Sequence, residues 1–278
     1  MAFLPATRLG VGIAIGVVTA LVLPTVTTAQ GQNWRPTGAD RLYVQFSGDL
    51  DVPPWATMVE IDGLDSDASE VSRIHAGGRR AVCYLSAGSA EQYREDLTGL
   101  PTSVLGRPLV GWPDERWLDI RQLDVLLPWV QARVQRCADK GFDAVEFDNV
   151  DAYAHRTGFP ITREQQYAYL NALSQMARAS GLSPGLKNAP ELAPMVRHAF
   201  DWVLLEECVQ YRFCGRYAAF VRTGAPVFDL EYGRFTTRAC QVGRNHGVVV
   251  QFTNVALDGT TRPCRQAKLS TGPRVQVS

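Results

Sequence analysis

The chain has 278 residues, 46% of them hydrophobic, and its 28 lysines and arginines balance its 28 aspartates and glutamates. This length and apolar content are enough for one large globular domain with a sizeable core, and the composition is not that of a disordered protein. Zero net charge excludes the basic field typical of nucleic-acid binding, so no nucleic-acid partner is expected and charged ligands must be recognised locally.

The N-terminus is typical of an export signal. Arg8 precedes an uninterrupted apolar run over residues 9–23, shorter than the roughly 20 residues that span a bilayer. Small residues at 27–29 then offer a cleavage site. We predict a signal peptide over 1–29, a mature domain over 30–278 and secretion into the medium. An uncleaved N-terminal anchor is the alternative, and no later segment is predicted to cross a membrane.

Eight short apolar runs follow, and most are rich in Val, Leu, Ile and Phe, as in strands that are buried on both faces. The predicted strands are Leu42–Phe46, Met58–Ile61, Ala81–Leu85, Ala144–Phe147, Gly185–Lys187, Trp202–Leu205, Val227–Leu230 and Val248–Phe252.

The connections between these runs carry helix signals. Thr162 and Gln165 form a capping-box pattern, and residues 124–140 repeat apolar side chains on one helical face before Gly141. Repeated strand–helix–Gly units predict right-handed crossovers in a parallel sheet. Eight of them predict an α/β fold, a single (β/α)8 TIM-type barrel. An open doubly wound sheet is the alternative, but no Gly-x-Gly-x-x-Gly follows the first strand.

One interval is longer than the others. Residues 86–124 separate the third predicted strand from the next helix and contain Trp112 and Trp117. Long loops on compact domains are usually functional, so we predict a long loop at the catalytic face.

Six cysteines follow the N-terminal segment, an even number that fits an oxidising compartment. Cys208 and Cys214 are close enough to close one loop, and Cys240 with Cys264 could hold the C-terminal end. Six cysteines allow 15 connectivities, so the pairing stays open. Because no Cys-x-x-Cys occurs, a structural zinc site is not expected.

Polar residues gather at the predicted carboxyl ends of the strands, where barrels of this type place their catalytic groups. Carboxylates and amides dominate these positions and histidine is missing, which suits glycosidic cleavage by one protonated and one ionised carboxyl. The positions include Asp62, Tyr84, Asp148, Asn149, Lys187, Asn188, Glu206, Glu207, Glu231 and Tyr232.

Seven segments carry a family resemblance: Cys83–Ser89 with Glu91 and Arg94, Gly111–Pro113 with Glu115–Asp119, Gly141–Asp143, Asp148–Asp151, Gly185–Ala189, Glu206–Cys208 and Glu231–Tyr232. They resemble glycoside hydrolase family 114, and the similarity runs from about Trp34 to Tyr232, or to Gln251.

The resemblance implies a barrel that cleaves α-1,4-linked galactosaminogalactan or polygalactosamine internally and with retention. It also implies that Asp148 and Glu206 are the catalytic pair. Glu207 departs from the family pattern, in which a glutamine is expected at this place. We assign Asp148 as nucleophile, because Asn149 and nearby amides can hold it ionised, and Glu206 as acid/base. The reverse assignment stays open.

Other predicted site residues recognise the substrate. Acidic side chains would attract the free ammonium groups of a galactosamine polymer, and aromatic faces would stack on sugars. The acids are Asp62, Asp151, Glu207 and Glu231, and the aromatic residues are Tyr84, Trp112, Trp117 and Tyr232; Asn149, Asn188 and Lys187 complete the set. Lys187 either pairs with a carboxylate or holds a substrate hydroxyl, and Trp202 is predicted to lie in the core.

Two rival functions remain in view. A barrel that binds polysaccharide without cutting it has no need of the Asp148–Glu206 pair. A metal-dependent deacetylase would bind zinc through Asp148, Asp151 and a histidine, but the four histidines include no His-x-x-x-His pair. We therefore predict a cofactor-free, metal-free, monomeric endo-glycosidase.

Overall fold

A computed structural model describes Met1 and residues 34–264, and residues 34–264 all fall within one compact unit. Apart from Met1, the predicted signal peptide lies outside the described residues, as does the tail from 265 to 278. Among the helices that are described, none combines the length and the apolar character needed to cross a bilayer.

Twelve strands and six α-helices are described. The strands are β1 Leu42–Val44, β2 Met58–Asp62, β3 Arg80–Ser86, β4 Ser89–Glu91, β5 Leu105–Leu109, β6 Trp112–Leu118, β7 Ala144–Asp148, β8 Ser183–Lys187, β9 Trp202–Glu206, β10 Val227–Tyr232, β11 Val248–Thr253 and β12 Arg262–Pro263. The helices are α1 Ala68–Ala76, α2 Leu123–Lys140, α3 Arg163–Ala179, α4 Ala193–Val196, α5 Ala218–Thr223 and α6 Thr237–His246.

The main sheet is curled, and its order is β1-β2-β3-β7-β8-β9-β10-β11-β12. All neighbours from β1 to β11 are parallel, and only β12 is antiparallel. The segment after β11 contacts the end of β1, where the Phe46 amide donates to the Leu257 carbonyl at 2.8 Å. Each of the eight predicted strands is present, and the TIM-type fold is confirmed.

The two faces of the barrel strands have different neighbours. Side chains that alternate along a strand point to opposite faces, so residues two apart share an environment. The inward-facing apolar cluster contains Leu42, Val44, Met58, Val82, Ala144, Trp202, Leu204, Phe228 and Leu230. Outward neighbours such as Val59 and Val203 belong instead to the larger core between the sheet and the helices. Trp202 lies in the core, as predicted. A Cβ added to Gly185 would lie only 2.3 Å from its ring, so the ring occupies the space beside this glycine.

The predicted helix ends are confirmed. The Thr162 hydroxyl accepts from the Gln165 amide at 3.2 Å, and the Gln165 side chain accepts from the Thr162 amide at 2.9 Å. Helix α2 ends at Gly141, whose φ of 89° is a left-handed conformation that glycine adopts without strain.

The interval predicted as a long loop contains a second, smaller sheet. Strands β4, β6 and β5 pair antiparallel in that order. Along β6 exposure falls from Trp112, which is 55% exposed, to the buried Trp117 and Leu118. The apolar positions of β6 anchor this small sheet to the barrel, which the loop prediction did not anticipate.

Three disulfides close the fold: Cys83–Cys137, Cys208–Cys214 and Cys240–Cys264. The last two are the pairings that sequence spacing suggested. The first joins β3 to α2 and had no sequence signal, because its cysteines are 54 residues apart.

Candidate active site

A cavity of about 740 Å³ opens at the carboxyl ends of the barrel strands. Its wall combines strand ends, the small sheet and residues 255–257. Twelve of the predicted site residues line it, namely Asp62, Tyr84, Trp112, Trp117, Asp148, Asn149, Asp151, Lys187, Asn188, Glu206, Glu207 and Tyr232.

Glu231 is the exception, and its predicted place at the mouth is corrected. On β10, Leu230 and Tyr232 pack inside the barrel, so alternation turns Glu231 to the outer face. Its carboxylate accepts from the amides of Val209 at 2.8 Å and Gln210 at 3.4 Å. Two adjacent strand residues cannot both point inward, and Glu231 therefore holds the backbone after β9.

Asp148, at the end of β7, is held by two donors. The Tyr84 hydroxyl donates to Oδ2 at 3.1 Å, and the Asn149 amide donates to Oδ1 at 2.7 Å. Burial and the charge of Asp148 raise the pKa of Tyr84 well above its usual range, so this phenol remains a donor. Donors aimed at both oxygens fix the orientation of the carboxylate.

Asn149 fixes the direction of the chain beyond Asp148. Its φ is 59°, and its side chain donates to the hydroxyls of Ser86 at 3.0 Å and Ser89 at 3.2 Å. A Cβ on Gly88 would meet the Asn149 carbonyl oxygen at 1.7 Å, so only glycine fits there. The predicted asparagine thus acts on Asp148 through the backbone.

Glu206, at the end of β9, has its own set of partners. The Tyr232 hydroxyl donates to Oε1, and the Asn188 side chain donates to Oε2 at 3.3 Å. The Asn188 side-chain oxygen accepts from the Glu206 amide at 3.0 Å, which ties β8 to β9 at this point. Burial first, and then the charge of Glu206, raises the pKa of Tyr232.

Lys187 contacts both carboxylates. Its Nζ is 3.8 Å from Asp148 Oδ2, 3.7 Å from Glu206 Oε2 and 3.4 Å from Glu146 Oε1. Burial by itself would lower the pKa of Lys187, but the surrounding carboxylates, Asp148 foremost, raise it well above its usual range. Lys187 is therefore a fixed positive charge shared by Asp148 and Glu206.

Asp62 is committed to local structure. Its Oδ1 accepts from the amides of Leu64 and Asp65, and its Oδ2 accepts from Arg94 at 2.5 Å. Asp62 lines the cavity as predicted, but these bonds occupy both carboxylate oxygens.

The predicted residues on the small sheet and on the segment after β7 form a separate group. Trp117 is 6% exposed and stacks on His155 with ring centroids 4.7 Å apart. Asp151 lies 3.2 Å from His155 and raises its pKa through a hydrogen bond. Trp112 offers the exposed aromatic surface.

Glu207 has a φ of 55° and lines the cavity beside Glu206. Burial, followed by repulsion from Glu231 and Glu206, raises its pKa. The carboxylate that departs from the family pattern thus lies within the electrostatic field of the site.

Several functional positions were missed. The cavity wall also contains Glu91, Arg94, Glu115 and His155, and the buried Glu60 lies beneath it. Glu91, Arg94 and Glu115 stood within family segments but were not recognised as wall residues. Strand alternation would have found Glu60, two residues before Asp62. The segment 255–257 carries no sequence signal, because only the curling of the sheet brings it to the cavity.

Within residues 34–264, no three His, Cys, Asp or Glu side chains form a group suited to holding a metal ion. Asp151 instead pairs with His155, so the donor set that the deacetylase alternative needs is not assembled in this region.

The fold and the site together define a glycoside hydrolase: a (β/α)8 barrel with two carboxylates that meet at one lysine in its mouth. More narrowly, the chain belongs to glycoside-hydrolase family GH114, whose model matches residues 23–268.

Among solved structures the chain is similar to Ega3 of Aspergillus fumigatus, crystallised in complex with galactosamine, with 31% identity and a TM-score of 0.78 over 83% of this chain and 97% of Ega3. The glycoside hydrolase domain of PelA from Pseudomonas aeruginosa shares the fold, with 14% identity and a TM-score of 0.60 over 80% of this chain and 97% of that one. An uncharacterized protein of Deinococcus radiodurans is 29% identical over 204 residues, 63% of this chain. The match spans 64% of that relative's length.

Proposed function

We propose that the protein is a secreted, monomeric endo-glycosidase that cleaves α-1,4-galactosaminidic bonds in polygalactosamine or galactosaminogalactan with retention of configuration. The observation that carries the proposal is the pair of carboxylates, Asp148 at 3.8 Å and Glu206 at 3.7 Å, that contact the same Lys187 ammonium. The galactosamine bound in the similar Ega3 structure supports the sugar. Three disulfides support an oxidising compartment.

In the proposed mechanism Asp148 attacks the anomeric carbon. The hydrogen bonds from Tyr84 and Asn149 orient this carboxylate. Glu206 donates its proton to the leaving oxygen, and in the second step it accepts a proton from the water that releases the sugar. Tyr232 orients Glu206 through its hydroxyl.

The carboxylate separation is compatible with retention. Both carboxylates reach one Nζ, at 3.8 and 3.7 Å, so their nearest oxygens are no farther apart than the sum of these distances. The about 5–5.5 Å typical of retaining enzymes lies within that bound, as does the lower end of the roughly 6.5–9.5 Å range of inverting enzymes, so retention itself rests on the family resemblance.

The positive charge of the substrate's amino groups is complementary to the negative charge of the cavity wall. Glu115, Glu207 and Asp151 line the cavity, and a cationic polymer gains from their negative field. Trp112 supplies an aromatic surface at the rim for a sugar ring. Internal cleavage rests on the family resemblance.

The test is release of reducing ends from partially deacetylated α-1,4-galactosaminan by the wild type, Asp148→Asn and Glu206→Gln. We expect oligosaccharides from the wild type and a loss of about 10³-fold or more in kcat for both variants. Glu164→Gln, an exposed carboxylate at the start of α3, is the control that should keep full activity.

Two further readouts separate the parts of the proposal. The anomer formed first, followed by NMR, reports retention or inversion. Covalent trapping identifies the nucleophile, and a label on Glu206 would reverse the assigned roles. If the folded wild type releases nothing from this polymer, the substrate assignment is wrong, while the assignment of the fold is unaffected.

A further inference from the structure

Two wholly buried carboxyl groups lie one layer beneath the mouth of the barrel. Glu60 of β2 and Glu146 of β7 are both 0% exposed, and each lies two residues before a strand-end aspartate, Asp62 or Asp148. Alternation therefore points both side chains into the barrel. Neither residue has a role in the proposed reaction steps.

The surroundings of this pair do not supply enough donors for two carboxylates. Among the described residues, none donates a hydrogen bond to any of the four oxygens of Glu60 and Glu146. The cation at hand is Lys187, 3.4 Å from Glu146 Oε1, and it also faces Asp148 and Glu206. Four carboxylates thus share one ammonium.

Burial of uncompensated charge costs several kcal/mol per ion, so such a cluster keeps protons instead of ionising fully. The two carboxyls are close enough to hydrogen-bond to each other when one of them holds a proton. The charged groups that face Glu60 are Glu146, Lys187, Asp148 and Glu206, and those that face Glu146 also include the Tyr84 phenol.

We propose that Glu60 and Glu146 are positioning residues that share a proton, and that their remaining negative charge competes with Asp148 and Glu206 for Lys187 and so determines the alkaline end of the activity range. The inference deepens the proposed function, because it rests on Asp148 and Glu206 being the reacting pair.

The direction of the effect follows from the charges. Burial raises the pKa of Glu60 to about 7, although Glu146 and Lys187 lower it, and burial with the charge of Glu60 raises the pKa of Glu146 well above its usual range. Below about pH 7 the pair is neutral, and above it Glu60 carries one charge. That charge weakens the hold of Lys187 on Glu206 and helps the catalytic acid to keep its proton.

Glu60→Gln removes this charge and keeps the shape of the side chain. We expect the alkaline limb of kcat/KM to move to lower pH by about one unit. A unit charge about 10 Å away shifts a pKa by roughly this amount at an effective dielectric constant of about 20. The acid limb should not move, because Glu60 is uncharged there in the wild type. Glu60→Asp keeps a carboxyl and should return the alkaline limb toward its wild-type position.

The matched control is Met58→Leu, which alters the same inward face of β2 without changing charge. A loss of packing lowers the height of the pH profile in both variants, whereas the proposal requires a displacement in Glu60→Gln alone. An unmoved alkaline limb in folded Glu60→Gln would overturn the proposal.

A second measurement needs no substrate. Infrared difference spectra between the wild type and Glu60→Gln should show a protonated-carboxyl band that grows as the pH falls through about 7. The buried Asp229 on the outer face of β10 contributes equally to both spectra and cancels. Spectra without this band would refute proton sharing, even if the polymer proved not to be the substrate. If Glu60→Gln fails to fold, Glu146→Gln serves, and it should lose the carboxyl band that persists above pH 7.

Discussion

Two buried charge clusters lie side by side in this barrel, and they differ in their balance of charge. In the arginine cluster, Arg94 contacts Glu91, Asp62 and Asp65, and Arg133 contacts Glu91 at 3.4 Å and Asp96 at 2.7 Å, so each acid has its own guanidinium contact. The lysine cluster is Lys187 with Glu60, Glu146, Asp148 and Glu206.

The difference between the clusters changes the direction in which the pKa values of their acids are shifted. In the arginine cluster burial raises the pKa of Asp96, but Arg133 outweighs it and leaves the pKa below its usual value. In the lysine cluster, burial and repulsion between carboxylates outweigh the attraction of Lys187, so the pKa values of Glu60 and Glu146 rise. A guanidinium contact for every acid favours one ionisation state, while one ammonium among four carboxylates keeps protons available for chemistry.

The largest expected effect is on the arginine cluster. Arg133→Met removes the bidentate partner of Asp96 and one of the two arginines that contact Glu91, and we expect the free energy of unfolding in urea to fall by about 3–5 kcal/mol. Arg73→Met is the control, because its pair with Glu70 is exposed and worth less than about 1 kcal/mol. Equal losses in the two variants would mean that the cluster is not structural.

Lys187→Met tests the lysine cluster. Without the ammonium, Glu60 and Glu146 lose the charge that lowers their pKa values, and Asp148 and Glu206 lose their shared contact. We expect kcat on the galactosaminan to fall about 10²-fold, with the remaining activity displaced to higher pH. A near-normal kcat would show that the lysine cluster is only a structural counterpart of the arginine cluster.

The contribution of the lysine cluster to the free energy of unfolding should depend on pH. The pKa of Glu60 is about 7 when folded, against 4.5 as the ordinary value. A raised pKa contributes stability that is fully present below about pH 4.5 and is lost as the pH rises through about 7. Relative to Glu60→Gln, the wild type should lose on the order of 3 kcal/mol across this window. Urea unfolding at several pH values checks this, and parallel curves for the two proteins would contradict it.

The smallest effect is expected outside both clusters. Trp112 is exposed at the rim of the cavity, and Trp112→Ala should raise KM about fivefold and leave kcat unchanged, as loss of about 1 kcal/mol of stacking does. Met195→Ala, an exposed apolar residue on α4 that does not line the cavity, should change neither constant. A fall in kcat for Trp112→Ala would instead connect the rim to the chemistry.

Much of the barrel follows from local patterns. The capping box at Thr162 and the glycine at the end of α2 were confirmed, because caps depend on residues within one turn. The strand-end positions of Asp148 and Glu206 were readable for a similar reason, since an apolar run that ends in an acid marks the edge of a parallel sheet. Their catalytic roles remain a prediction.

Alternation was also in the sequence, but it was not applied at every strand. Applied to β10, it separates Tyr232 from Glu231, and applied to β2 it places Glu60 beneath Asp62. The small sheet was harder to predict, because an antiparallel insertion of short strands with many charges lacks the apolar runs that mark the barrel.

The sequence by itself determined the periodicity, the helix ends and the acids at the strand ends, since each depends on neighbours a few residues away. Only the tertiary structure decided the Cys83–Cys137 link, the meeting of Glu60 with Glu146 and the sharing of one lysine by four carboxylates. Those outcomes depend on which strands the curled sheet brings across its interior, and on a sum of charges that no single segment contains.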